Sequence, residues 1–211
     1  MDINNTEKSI MHYSSSHNIL LVGEGDFSFS ACLATAFASA SNIIATSLDS
    51  RDELVMKYAR AARNVKILEE LGGTVLHEVD ATTMSQHPLL HDMLFDRIVF
   101  NFPHAGFVYK ESNTAQIELH RNLVRVFLRN AKSMIDVEGE IHITHKTSHP
   151  FSKWGIVNLA CDEGLCLKES EIFHAWQYPN YENKRGHGQN PDGTFPVGAC
   201  STFKFFIDYL L

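Results

Sequence analysis

The sequence predicts an α/β fold in which helices cover both faces of a mainly parallel sheet of seven strands. Short apolar runs alternate with helical patterns along the chain, as expected of strands joined by crossover helices. The first apolar run passes through a two-glycine turn into a helix. The last two runs have no obvious helix between them, so they are expected to pair antiparallel and to give the sheet an antiparallel edge strand.

The elements follow from these patterns in order. Strands are expected at 19–22, 42–48, 74–79, 95–102, 140–145, 165–173 and 201–207, with helices at 27–38, 51–71, 114–135 and 153–161. The helix at 51–71 is typical: Leu54, Tyr58, Ala61, Val65 and Leu68 share one face. The pair Gly72-Gly73 is expected to end it.

Length and composition predict one domain. The chain has 211 residues, of which 44% are hydrophobic, enough for one sizeable core. We expect a flexible tail at 1–17 and a single domain at 18–211. No run approaches the roughly 20 apolar residues of a membrane span, and the opening lacks the apolar block of a signal peptide. The four cysteines show no C-x-x-C pairing, so we expect a soluble intracellular protein.

The net charge of −7 disfavours sequence-independent binding to nucleic acid, because such binding depends on lysine and arginine. A local basic stripe is still compatible with this charge. Arg121, Arg125, Arg129 and Lys132 recur at helical spacing and would form either a phosphate track or an ordinary solvated face.

The turn after the first strand predicts a nucleoside site. Gly23 and Gly25 lack a Cβ, so a ligand can approach the main chain closely. Ser28 stands where a third glycine would complete the dinucleotide pattern, which favours a smaller nucleoside without a pyrophosphate. A turn without any ligand would explain the two glycines equally well.

Two aspartates follow the next two strands. In an open parallel sheet, ligands bind at the carboxyl ends of the strands, near the point where the strand order reverses. Asp49 could accept hydrogen bonds from ribose hydroxyls and Asp80 from an adenine amino group. Each could instead cap the helix that follows. Together with Gly23 and Gly25 they favour an adenosine site.

The segment Asn101-Phe102-Pro103-His104 ends the fourth strand. The Asn101 amide can both donate and accept, and would suit the edge of a planar base on which Phe102 could stack. His104 could remove a proton. A proline-terminated strand without any ligand is the alternative.

No metal site is expected. His142 and His145 are three apart in a strand and therefore point to opposite faces. His87 and His91 lie beside Pro88 without an acidic partner at a helpful spacing.

Four motifs carry a resemblance to a known family: Leu20 to Ser30, Ala45 to Ser50, Val79 to Thr82 and Phe95 to His104. In this order they resemble the ribosomal-RNA uridine-N3-methyltransferase-like family from about Asn18 to Phe206. The resemblance implies a Rossmann-like, doubly wound fold that uses S-adenosyl-L-methionine. It further implies methyl transfer to ring nitrogen three of a uridine in large-subunit ribosomal RNA, in the nucleus, nucleolus or cytoplasm.

The resemblance also implies roles for the motif residues. Gly23, Glu24, Gly25, Asp26, Phe27 and Ser28 would hold the methionine part of the cofactor, Asp49 the ribose, and Asp80 with Ala81 the adenine. Asn101, Phe102, Pro103 and His104 would face the acceptor.

Two other functions remain open at this point: a methyltransferase acting on a small molecule, and a non-catalytic binding module that keeps the cofactor fold. Aromatic and basic residues of the late loop would clamp RNA or cover a small pocket; they are Trp176, Tyr178, Tyr181, Lys184 and Arg185.

Overall fold

The computed structural model describes residues 6–209. Within that range a seven-stranded sheet carries two helical layers, and a small hairpin precedes it. The strands are β1 (Ser9–Ile10), β2 (Tyr13–Ser14), β3 (Ile19–Val22), β4 (Ile43–Thr46), β5 (Thr74–Leu76), β6 (Phe95–Asn101), β7 (Ile135–Lys146), β8 (Cys166–Ile172) and β9 (Cys200–Phe206). The helices are α1 (Ser28–Phe37), α2 (Arg51–Lys57), α3 (Ala61–Glu70), α4 (Thr114–Lys132) and α5 (Ile156–Asp162).

The main sheet has the order β5-β4-β3-β6-β7-β9-β8. The first five strands of this order are parallel, and β9 runs antiparallel to both β7 and β8. The predicted antiparallel pairing of the last two strands is confirmed, with β9 inserted between β7 and the edge strand β8. The chain builds outward from β3 to β5 and then returns to β6 beside β3. This reversal opens a crevice at the carboxyl ends of β3 and β6.

Apolar side chains pack on both faces of the sheet. Helices α4 and α5 cover one face through a cluster that includes Phe127, Leu128 and Leu159. Helices α1, α2 and α3 cover the other face through Leu33, Leu54 and Leu68. The near-continuous burial of Ile19–Val22 reflects this two-sided packing. Its apolar sequence is therefore the one expected of a central parallel strand.

The helix expected at 51–71 is two helices in the structure. Helix α2 begins at a capping box of Ser50 and Glu53, and it ends at Tyr58, whose backbone is extended. The Tyr58 side chain is buried and lies close to Gly25 and Gly186. Packing of this ring near the glycine turn therefore accompanies the break, and neither glycine nor proline marks it in the sequence.

The segment at 1–17 is not a flexible tail where the structure describes it. Strands β1 and β2 form an antiparallel hairpin, and Tyr13 is buried with only 1% of its surface exposed. Its ring packs against Phe29 of α1, and its hydroxyl lies 3.2 Å from Nδ1 of His142. An aromatic side chain buried on the main sheet fixes the hairpin in place. Residues 1–5 of the predicted tail lie outside the described residues.

No helix within residues 6–209 combines the length and the apolar character that crossing a bilayer requires. The four cysteines are free thiols, and Cys32 and Cys200 are buried.

Candidate functional site

A cavity of about 460 Å³ opens where the strand order reverses. Its walls come from the turn after β3, the ends of β4 and β6, the segment after β5 and the late loop before β9. The predicted site residues that line it are Gly23, Glu24, Gly25, Asp26, Ser28, Asp49, Asp80, Ala81, Asn101, Phe102 and His104. Sequence reasoning therefore identified residues from four separate segments that the fold brings to one cavity.

Two predicted site residues do not line the cavity. Phe27 is fully buried in the apolar cluster under α1 and holds a left-handed backbone (φ 59°) at the start of that helix. Pro103 is also buried, below the strand exit. Both side chains pack inside the protein beside the two turns and do not face the cavity.

The glycine turn packs closely against Phe100 of β6, so the missing Cβ of Gly23 makes room for that ring. Gly23 has a φ of +66°, and a Cβ placed on it would lie 2.6 Å from the ring of Phe100. Either feature alone would disfavour another residue at this position. The backbone N–H of Glu24 donates to the carbonyl of Thr46 (2.8 Å), which ties the turn to the end of β4.

Two carboxylic acids of this turn are buried. Oε2 of Glu24 accepts hydrogen bonds from the backbone and hydroxyl of Ser30 (3.1 and 3.0 Å), yet burial raises the pKa of Glu24 to about 7. Oδ1 of Asp26 accepts from the backbone N–H of Ser28 (3.0 Å). Its Oδ2 is buried without a hydrogen-bond donor among residues 6–209 and lies 3.7 Å from Nζ of Lys184. Asp26 therefore offers an acceptor that the protein leaves unused.

The two strand-end aspartates differ in their surroundings. Asp49 pairs with Lys57 of α2, while Ser50 performs the capping of that helix. Oδ1 of Asp80 accepts from the backbone and hydroxyl of Thr82, both at 2.7 Å, so it stabilises the turn that follows. The capping alternative is thus absent at Asp49 and is partly realised at Asp80.

Asn101 ends β6 with an unsatisfied amide. Both Oδ1 and Nδ2 are buried and have no hydrogen-bond partner in the described part of the chain. A buried amide without partners costs free energy, so such a group is usually held for a ligand or a water molecule. The next residue, Phe102, has a left-handed φ of 50°, and its ring meets the edges of Phe173 and Phe195.

His104 belongs to a group that spacing in the sequence did not reveal. The backbone N–H of Gly106 donates to Nδ1 of His104 (3.0 Å), and Nε2 of His104 lies 2.8 Å from Oε1 of Glu111. A neutral imidazole whose Nδ1 accepts must carry its proton on Nε2. His104 therefore donates to Glu111 and has no free lone pair, so the predicted role as a general base is not available in this conformation.

His120 approaches the same carboxylate. Its Nδ1 accepts from the backbone N–H of Ala105 (3.1 Å), and its Nε2 lies 3.0 Å from Nε2 of Gln116 and 3.3 Å from Oε2 of Glu111. The two imidazoles lower the pKa of Glu111 to about 2, with the His104 hydrogen bond as the main cause. We call His104, Glu111 and His120 the histidine brace.

The ligand atoms of the histidine brace lie within 4.8 Å of one another, close enough to hold a metal ion. Metal coordination through Nε2 would require the proton to sit on Nδ1, where a backbone N–H already donates. The hydrogen bonds therefore favour a structural role for these three side chains over a metal centre. The histidine brace holds the loop between β6 and α4.

Three late-loop residues, Tyr181, Lys184 and Arg185, line the cavity, in agreement with the expected alternative that they cover a small pocket. Tyr181 and Lys184 are largely buried, and the Glu182 backbone N–H donates to the Ser28 hydroxyl (3.0 Å). Lys184 pairs with Glu182 and with Asp192 (2.9 and 2.8 Å).

Three late-loop residues of the predicted RNA clamp are thus unavailable on the surface. Tyr178 is only 3% exposed, and Tyr181 and Lys184 form part of the cavity wall. Trp176 and Arg185 remain exposed.

The basic stripe on α4 is occupied by contacts within the protein. Arg121 and Arg125 approach Glu118, Arg129 forms two hydrogen bonds with Glu163, and Lys132 donates to the Glu163 carbonyl. These contacts favour an ordinary helix face over a phosphate track.

Comparison with solved structures places the fold among methyltransferases. A putative methyltransferase from Thermoplasma acidophilum superposes with a TM-score of 0.52 at 12% identity, covering 92% of this chain and 70% of that one. The N-methyltransferase NodS from Bradyrhizobium japonicum, solved in complex with S-adenosyl-L-homocysteine, gives 0.50 at 16% identity, over 89% and 76%. The predicted Rossmann-like fold is confirmed.

Sequence comparison gives relatives of differing length. The uncharacterized protein At4g26485 from Arabidopsis thaliana is 56% identical over 203 residues, covering 95% of this chain and 97% of its own length. Heavy metal-associated isoprenylated plant protein 41 from the same species is 53% identical over 196 residues, but this chain spans only 38% of it. The 25S rRNA (uridine(2634)-N(3))-methyltransferase of Saccharomyces cerevisiae is 24% identical over 242 residues, covering 89% and 71%.

A family model, described as rRNA (uridine-N3-)-methyltransferase BTM5-like, matches residues 20–185. That range contains the glycine turn, both strand-end aspartates and the Asn101–His104 segment. The resemblance expected from the four sequence motifs is thereby confirmed, and the chain belongs to the BMT5-like family of methyltransferases.

Proposed function

We propose that this protein transfers a methyl group from S-adenosyl-L-methionine to N3 of a uridine in large-subunit ribosomal RNA. The main support for an acceptor site comes from Asn101. Its buried amide has no hydrogen-bond partner among residues 6–209 and lies in the wall of the cavity. Membership of the BMT5-like family supports the reaction and the substrate class.

The residues present fit the cofactor. A volume of about 460 Å³ lies within the range of small-molecule sites, roughly 300 to 1,000 Å³. Oδ2 of Asp26, which has no hydrogen-bond donor among residues 6–209, could accept from the ammonium of the methionine part, beside the backbone of Gly23. Asp49 could hold the ribose hydroxyls, and Asp80 with Ala81 the adenine.

The charge of the cavity also favours this cofactor. Five acidic side chains line it, Glu24, Asp26, Asp49, Asp80 and Glu182, against three basic ones, Lys57, Lys184 and Arg185. The cofactor carries a sulfonium and an ammonium against one carboxylate, so its net charge is positive. An acidic cavity attracts such a ligand and binds the uncharged sulfur product less strongly.

The bound cofactor supplies an electrophilic methyl group, which an in-line nucleophile can take directly. The protein then contributes positioning. Nδ2 of Asn101 could donate to a uracil carbonyl beside N3, which would orient the base and stabilise the negative charge that develops as N3 loses its proton. A base-paired uridine hides N3, so the target must be unpaired or flipped out.

His104 acts in this scheme as a positioning residue. Its Nδ1 is occupied by the Gly106 N–H and its Nε2 by Glu111, so it fixes the backbone that follows Asn101. Work on ribosomal RNA would place the protein in the nucleolus or the cytoplasm.

The experiment is methyl transfer from tritiated S-adenosyl-L-methionine into total RNA, followed by digestion to nucleosides and mass spectrometry. We expect label in 3-methyluridine from large-subunit RNA. Asn101→Ala should lower the rate by about 100-fold while calorimetry shows unchanged cofactor binding. Asp49→Asn should weaken cofactor binding by about 10- to 100-fold, because a charged hydrogen bond contributes about 1.5–3 kcal/mol.

Asp52→Asn is the matched control for Asp49, because Asp52 is an exposed aspartate of the neighbouring helix α2. Label found only in a small-molecule extract would contradict the RNA substrate. Absence of cofactor binding by the wild type would support the non-catalytic binding module instead.

A further inference from the structure

The loop after the Asn101–His104 segment presents apolar side chains to solvent. Phe107, Val108 and Tyr109 are 43%, 64% and 52% exposed, and the exposed Lys110 follows them. Three consecutive exposed apolar residues are unfavourable on a surface that contacts only water.

Hydrogen bonds from a buried side chain of α4 nevertheless hold the backbone of this loop in place. Gln116 of α4 is fully buried, and its Oε1 accepts from the backbone N–H groups of Val108 and Tyr109 (3.0 and 2.7 Å). Its Nε2 donates to the carbonyl of Gly106 (2.6 Å). The histidine brace fixes both ends of the same loop. The backbone is thus preorganised while the side chains remain free for a partner.

The loop stands at the mouth of the cavity. The ring of Phe107 lies 4.2 Å from that of His104 and 6.2 Å from that of His187, measured between ring centres. Both histidines line the cavity, as does Gly106. A nucleotide that neighbours a base inside the cavity would therefore meet Phe107 first.

Three cations belong to the segments beside this mouth: Lys110 follows Tyr109 in the chain, Arg185 lines the cavity, and Lys146 approaches Phe195, which also lines it. Lys110, Lys146 and Arg185 form no ion pair within residues 6–209. Nζ of Lys146 instead lies 4.7 Å from the ring centres of Phe151 and Phe195, and Arg185 donates to the Thr194 carbonyl. Burial lowers the pKa of Lys146, the negative charge of Glu111 partly opposes this shift, and the like charge of Arg185 adds a smaller lowering.

Basic residues elsewhere in the site differ in this respect. Lys57, Arg60 and Lys184 are each paired with a carboxylate. In a chain of net charge −7, unpaired cations gathered beside exposed aromatic rings are the chemistry that binds phosphates and bases of a single strand.

We propose that Phe107, Tyr109, Lys110, Lys146 and Arg185 form an RNA rim, which binds the single-stranded nucleotides next to the target uridine. The rings stack on the flanking bases, and the cations contact their phosphates. This inference rests on the proposed function and deepens it, because it names the part of the protein that selects RNA over a small acceptor.

The test is binding of a fluorescein-labelled 12-nucleotide oligouridine to the full chain, followed by anisotropy over a salt series. Loss of one base stack should weaken binding by roughly 5- to 100-fold in Phe107→Ala and Tyr109→Ala. Three phosphate contacts predict a slope of log K against log salt near −2, and Arg185→Gln or Lys110→Gln should reduce it by about 0.7.

Matched controls lie away from the mouth. Trp176→Ala removes a 77% exposed ring that does not line the cavity, and Arg63→Gln removes a cation of α3 that has no ion pair in the described chain. Both should bind oligouridine as the wild type does. Thermal unfolding of every variant should match the wild type, because the altered side chains are exposed.

Calorimetry with S-adenosyl-L-methionine separates the two proposals. Unchanged cofactor binding with weakened oligouridine binding in the Phe107, Tyr109 and Lys110 variants, whose altered side chains do not line the cavity, supports the rim. Wild-type affinity in the rim variants, or no oligouridine binding by the wild type at low salt, would overturn it and would point to a protein partner for this surface. Loss of cofactor binding in the wild type would overturn the proposed function without altering the oligouridine measurement.

Discussion

Gly23 and the ring of Phe100 are so close that a single added carbon would not fit between them: an ideal Cβ on Gly23 lies 2.6 Å from Cε2 of Phe100. Val22 and Phe100 are paired across β3 and β6, so the contact spans the two strands that flank the reversal of strand order. The glycine turn after β3 and the end of β6, which both line the cavity, are therefore in direct contact at this point.

Gly23→Ala is expected to destabilise the protein by about 2–4 kcal/mol, because the left-handed strain adds to the clash with Phe100. Cofactor binding should fall by at least tenfold. Chemical denaturation and calorimetry measure the two effects.

Gly198→Ala tests the backbone strain alone, since Gly198 has a φ of +59° and no atom of residues 6–209 lies within 4 Å of the position that a Cβ would take. It should cost only about 1 kcal/mol. Equal losses in the two variants would show that the Phe100 contact contributes nothing.

Glu24 should make stability depend on pH. Burial raises its pKa from 4.5 to about 7 in the folded protein, so the folded state favours the protonated form. The stabilising effect is present below about pH 4.5 and is lost as the pH rises through 7. Glu24→Gln keeps an acceptor for Ser30 and cannot ionise.

We therefore expect Glu24→Gln to be more stable than the wild type at pH 8, by up to about 3 kcal/mol, and similar to it at pH 4.5. Urea unfolding at the two pH values measures this difference. Glu53→Gln, at an exposed capping position, is the comparison variant. A wild type whose advantage over Glu24→Gln grew with rising pH would show that the carboxylate is stabilised as an anion.

The strands, the glycine turn and the position of the two strand-end aspartates could be predicted because each depends on a local signal. Glycines, apolar runs and strand-end carboxylates can each be recognised in the sequence from a window of a few residues. The histidine brace is different, since Glu111 and His120 lie 7 and 16 residues after His104 and meet it only through the path of a loop. The break at Tyr58 likewise depends on a ring that packs near the glycine turn from another part of the chain.

The same limit applies to the late loop. The sequence left two roles open for Tyr178 and Tyr181, namely clamping RNA or covering a small pocket. In the structure, Tyr178 stacks on Phe173 and Tyr181 meets Phe29 edge to face. Loop composition predicts an irregular backbone, but it does not predict which rings of that loop are buried.

Zinc should not stabilise the protein through the histidine brace. A site with a dissociation constant of 1 μM would raise the free energy of unfolding by about 2.7 kcal/mol at 100 μM metal. We expect the melting temperature to change by less than about 1 °C on addition of zinc or of a chelator. A rise that disappears in Glu111→Gln would establish the brace as a metal centre.

His104→Asn distinguishes a positioning residue from a general base. The Asn Oδ1 can take the place of Nδ1 and accept from the Gly106 N–H, while the bond to Glu111 is lost. Because the backbone after Asn101 keeps this support, we expect methyl transfer within about tenfold of the wild type. His104→Ala removes both bonds and should lower the rate by about 100-fold. A residue that accepted the N3 proton would lose its function equally in both variants, since neither asparagine nor alanine is a base near neutral pH. The acidic limb of the pH–rate profile provides a second readout: it should be the same in the wild type and His104→Asn, and its disappearance in His104→Asn would restore the imidazole as the base.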